Sequence, residues 1–74
     1  MKIPLISGRE VIKRLHRAGF IATRQQGSHV RLEKRFDEEV LKITVPLHPT
    51  LKKGTLHRII KDAKLTLEDF ERLG

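Results

Sequence analysis

The stretch Phe20–Pro46, FIATRQQGSHVRLEKRFDEEVLKITVP, decides the fold. At its centre Gly27-Ser28 is a two-residue pair with glycine first, the composition of a tight hairpin loop. Before it, Phe20 to Gln26 is short, rich in β-formers and bounded by glycines, which predicts a strand. After it, His29 to Arg35 alternates: Val30 and Leu32 fall on one face, His29, Arg31 and Glu33 on the other. Phe36 to Glu39 reads as an acidic loop. Val40 to Val45 reads as a third strand with Leu41, Ile43 and Val45 sharing a face, and Pro46 ends its pairing.

Outside this stretch the apolar period changes from two to that of a helix. Ser7 with Glu10 has the form of a capping box. Val11, Ile12, Leu15 and Ala18 follow at helical spacing and Gly19 can stop the helix, giving about residues 8–18. PLHPTLKKG, residues 46–54, is a connection with two prolines and a glycine. Thr55 then reads as the cap of a second helix that turns Leu56, Ile59, Ile60 and Ala63 to one side. Thr66 with Asp69 predicts another N-cap, opening a short closing helix through Leu67, Phe70 and Leu73. The expected architecture is α+β: a small two-layer sandwich, order α-β-β-β-α(-α), with a three-stranded antiparallel sheet carrying its helices on one face.

A chain of 74 residues predicts a single domain, residues 1–74, with a thin core. A domain this small buries only about 60% of its unfolded surface, which leaves little room for a bulky cofactor. There is no cysteine, so disulfides and thiolate metal sites are excluded. The four histidines are spaced as no compact ligand motif, and no metal or other cofactor is expected. The opening Met1–Ile6 is too short and interrupted for a secretory leader, and no apolar run approaches the roughly 20 residues of a membrane span. These features fit the cytoplasm. Sixteen Lys plus Arg against nine Asp plus Glu give a net charge of +7. Such a surplus points first to nucleic acid, then to an acidic protein partner, then to solubility alone. With three Phe and no Trp or Tyr, base stacking on aromatic platforms is poorly supported.

Three constellations could carry chemistry. His29 stands at a hairpin end, on the polar face beside Arg31. A neutral imidazole there can take a proton from a hydroxyl such as the ribose 2′-OH, whose oxygen then attacks the adjacent phosphate. Arg24, Arg31 and Lys42 could stabilise the developing charge. The same position also suits a solvated surface histidine. Lys52 and Lys53 precede the second helix, where free N–H groups favour an anion, and Gly54 permits close backbone approach; an ordinary basic loop would read identically. His48 could serve as an auxiliary acid for the leaving oxygen, whereas His16 and His57 read as polar helix positions.

Taken together, SGREVIKRLHRAGF, RQQGSHVRL and ITVPLHPTLKKGTLHRIIKDAKLTLEDF resemble the HicA toxins of type II toxin–antitoxin systems, over nearly the whole chain and in order. The resemblance implies a fold similar to double-stranded-RNA-binding domains and a small RNase that cleaves mRNA without metal or cofactor. It implies a catalytic histidine in the G-S-H segment, here Gly27-Ser28-His29, and neutralisation by a HicB antitoxin that covers the site. Ser28, Arg24, Arg31, Lys42, Lys52 and Lys53 are then expected to contact RNA, with the free toxin a monomer. Lys64 stands where the family commonly ends its second helix with glycine. A non-catalytic RNA-binding module of the same fold is the alternative.

Overall fold

The computed structural model describes residues 5–74; the reading of the first residues as no leader falls largely outside them. The elements are α1 (Gly8–Arg17), β1 (Ile21–Gln26), β2 (His29–Phe36), β3 (Glu39–Pro46), α2 (Lys53–Asp62) and α3 (Leu67–Arg72). The strands form one open antiparallel sheet in the order β1-β2-β3. Its inward side chains Val30, Leu32, Leu41, Ile43 and Val45 are buried with Val11 and Leu15 of α1, Leu56, Ile59 and Ile60 of α2, and Phe20, Leu51 and Phe70. Burying side chains of this size contributes about 1.5–3 kcal/mol each before chain entropy is counted. No polar or charged residue is buried among the described residues. The expected α+β order is therefore the observed one.

Local structure departs from the sequence reading in four places. Ser7 caps α1, its hydroxyl accepting the Glu10 N–H at 3.1 Å. The reciprocal half of the box is missing, because the Glu10 carboxylate takes Nε of Arg14 at 2.9 Å instead. Thr66 and Asp69, expected only as a cap, form the complete box at the start of α3. Thr55 caps nothing: the N-cap lies three residues earlier, at Lys52, with no side-chain cap bond. The cause is tertiary, since the Leu51 N–H donates to the Ile6 carbonyl and holds the chain extended just before Lys52. Finally, the acidic loop is shorter than Phe36 to Glu39. Phe36 pairs with Glu39, leaving only Asp37-Glu38 as the turn, with Asp37 at φ +57. Asp tolerates that left-handed conformation better than most residues.

The hydrogen-bonded carboxyls of Glu10 and Asp69 both lie below their usual range, Glu10 through its bond to Arg14 and Asp69 through the backbone and then the hydroxyl of Thr66. Each folded value is depressed, so the stability these groups contribute is present above the unfolded carboxyl pKa and lost as pH falls through the folded one.

Helices α1 and α2 end identically. After α1 the N–H of Gly19 (φ +104) reaches the His16 carbonyl and that of Phe20 the Leu15 carbonyl. After α2, Lys64 (φ +61) reaches Lys61 and Leu65 reaches Ile60. This is the Schellman arrangement, and Lys64 occupies its glycine position. A left-handed conformation costs a side-chain-bearing residue about 1–2 kcal/mol, and glycine's extra unfolded freedom offsets about 0.5–1 of that. Lys64→Gly is expected to raise the urea midpoint, with a net gain of about 0.5–1 kcal/mol. An unchanged or lower midpoint would show that the lysine side chain compensates the backbone.

Candidate functional site: a histidine–arginine depression on the open sheet face

The hairpin between β1 and β2 turns on Gly27-Ser28, with Gly27 at φ +59, and closes on the pair Gln26–His29. The Ser28 carbonyl accepts the Leu47 N–H at 2.6 Å, tying the turn to the chain leaving β3. His29 is held between two strands, opposite Gln26 on one side and Pro46 on the other. It is exposed, and none of the side-chain hydrogen bonds among the described residues involves its ring.

Next along β2 on the same face is Arg31, opposite Arg24 on β1 and Thr44 on β3. Arg24 reaches this face because β1 carries a bulge between Ala22 and Arg24. Strict alternation from Ala22, which faces inward opposite Leu32, would turn Arg24 inward as well. The extra residue, Thr23, resets the alternation, and its hydroxyl donates to Glu33 at 3.0 Å. Arg24, Gln26, His29, Arg31 and Thr44 together line a shallow depression of about 80 Å³. Two arginines directly opposite each other repel. The ion pairs among the described residues are Glu10–Arg14 and Glu68–Arg72, so neither Arg24 nor Arg31 is neutralised by a carboxylate. The arrangement suits an anion set beside an imidazole.

The other expected residues are placed differently. Lys42 shares the open face one row further on, opposite Glu33, and does not line the depression. Lys52 and Lys53 are exposed at the start of α2, whose first turn carries no acidic residue. His48 is exposed beyond β3, its carbonyl accepting the Gly8 N–H at 2.9 Å, and it too is outside the depression. Gln26 and Thr44 were not expected there. Both could have been read from register: Gln26 faces His29 across a two-residue turn, and Thr44 lies between inward Ile43 and Val45. Among the described residues no group of three His, Cys, Asp or Glu is placed to hold a metal ion, and no helix is long and apolar enough to cross a membrane.

The fold and the depression define a small basic α+β protein whose open sheet face presents a cationic depression that includes a histidine. The family model described as HicA toxin of bacterial toxin-antitoxin matches residues 8–65, from the first residue of α1 to just past α2. The chain belongs to this family: it is the toxin of a toxin–antitoxin system, which implies a cognate antitoxin. No curated protein matches the chain.

Proposed function

We propose that this toxin is an endoribonuclease, an mRNA interferase of the cytoplasm, and that a HicB-type antitoxin neutralises it by covering the open sheet face. The observation that supports this most is the meeting of exposed His29 with the two unneutralised arginines, Arg24 and Arg31, in one depression. His29 acts as general base: its imidazole removes the ribose 2′ proton, the 2′ oxygen bonds to the adjacent phosphorus, and the bond from phosphorus to the 5′ oxygen breaks. The departing oxygen takes a proton from water, to which the shallow site is open. Arg24 and Arg31 carry the charge that grows on the non-bridging oxygens. Ser28, Lys42, Lys52 and Lys53 bind flanking phosphates, the last two beside the free N–H groups of α2.

This chemistry needs the substrate's own 2′-OH and no bound metal. Cleavage is expected to proceed in EDTA and to leave 2′,3′-cyclic phosphate ends, detectable by end-group analysis of a defined RNA. Cleavage abolished by chelation and restored by a divalent ion would rule the mechanism out.

A further inference from the structure

A second hollow lies on the other side of the sheet. It is an open groove of about 510 Å³ between α1 and β1. It exists because β1 buries none of its six residues and turns only small Ala22 and polar Gln25 toward the helix side. The apolar floor is left partly uncovered, with half-buried Ile12 and Leu47 at its edges. Along the rim run Arg9, Lys13 and His16, which share one stripe of α1 with Ile12. The ring of His16 is steadied by its Nδ1, 3.2 Å from the Phe20 carbonyl oxygen.

The cations of α1 are thereby divided between two tasks. Arg14 pairs with Glu10 and stacks 4.9 Å over the Phe70 ring, while Arg17 donates to the Leu73 carbonyl at 2.6 Å. Both hold α3 to α1. Arg9 and Lys13 have no ion-pair partner among the described residues, and no carboxylate lines the groove. An aliphatic floor gives a phosphate or a ribose nothing to bind, no phenylalanine lines it, and the one ring at its rim, His16, is engaged with the Phe20 carbonyl. An apolar floor under a one-sign rim matches a protein segment with apolar side chains at its centre and carboxylates around them.

We propose that the α1–β1 groove seats an acidic, apolar-centred segment of the cognate antitoxin, its apolar side chains on Ile12 and Leu47 and its carboxylates on Arg9, Lys13 and His16. This rests on the toxin–antitoxin reading above. It adds a second point of attachment on the face of the sheet away from His29, so the antitoxin grips the β1–β2 hairpin from both sides.

Two variants test it against the purified cognate antitoxin. Arg9→Glu with Lys13→Glu reverses the rim charge at exposed positions, and Ala22→Phe fills the groove from the exposed edge strand. Each is expected to weaken antitoxin binding by about 10- to 100-fold, with thermal melting and the RNA cleavage rate of the free toxin at wild-type values. Wild-type antitoxin affinity in either variant overturns the proposal. So does a parallel fall in RNA affinity, which would make the groove an RNA surface. If the unaltered toxin fails to bind the antitoxin, the antitoxin reading itself is what falls.

Discussion

His29→Ala is expected to cleave RNA at least about 10²-fold more slowly than the wild type, the usual scale for a lost general base, and to lose toxicity on induction. Its melting temperature should not change. The side chain is exposed and makes no hydrogen bond among the described residues, and the inward neighbours that hold the strand are Val30 and Leu32, 6% and 1% exposed. RNA affinity should also persist, because the charges proposed to grip phosphate sit on Arg24 and Arg31. Melting, RNA affinity and cleavage rate measured side by side separate the two functional readings. A variant that cuts at the wild-type rate would make His29 a surface histidine and put the non-catalytic RNA-binding module in the lead. A variant that neither binds nor cuts would mean that the imidazole helps hold the ligand.

The strands around His29 were legible because alternation survives in any sheet with one buried face. Val30 and Leu32 against His29 and Arg31 define inside and outside without reference to the rest of the chain. The tight Gly27-Ser28 turn then fixes where the alternation starts. What could not be read is where a strand breaks its own period. Nothing in IATRQQ marks Thr23 as the extra residue, yet that residue brings Arg24 onto the face of His29. The start of α2 was illegible for a related reason. Thr55 has the right chemistry for a cap, but the bond from Leu51 to Ile6 sets the chain direction earlier and Lys52 takes the position. At Glu10 two good local partners competed, and the choice of Arg14 over the Ser7 backbone goes with the anchoring of Arg14 on Phe70. The α1–β1 groove is a product of packing: it is the space that small Ala22 and polar Gln25 on an edge strand fail to fill. Sequence period says which side a residue faces, and only the assembled layers say whether anything covers it.

Gly8→Ala is expected to destabilise the protein sharply, although it exchanges the poorer helix former for the better one. In an open helix position that exchange would gain about 0.5–1 kcal/mol. Gly8, however, is buried at the start of α1, and its N–H donates to the His48 carbonyl at 2.9 Å. A Cβ at this position would overlap the carbonyl of Pro46 and press on Cα of Leu47. These are backbone atoms that cannot rotate away, so either α1 or the end of β3 must move. Overpacking of this kind costs about 1–3 kcal/mol, and in a domain of this size each kcal/mol lowers the melting temperature by about 4–8 °C. The movement also reaches the site, because Pro46 is the residue opposite His29. Cleavage measured well below the melting temperature should therefore fall along with stability, even though position 8 touches no substrate. Gly54→Ala provides the control: it lies in the first turn of α2 with nothing within 4 Å of an added Cβ, and it should melt no lower than the wild type. If Gly8→Ala matches that control, the junction of α1 with β3 is looser than the close approach implies, and the strand end carrying His29 is positioned by the hairpin alone.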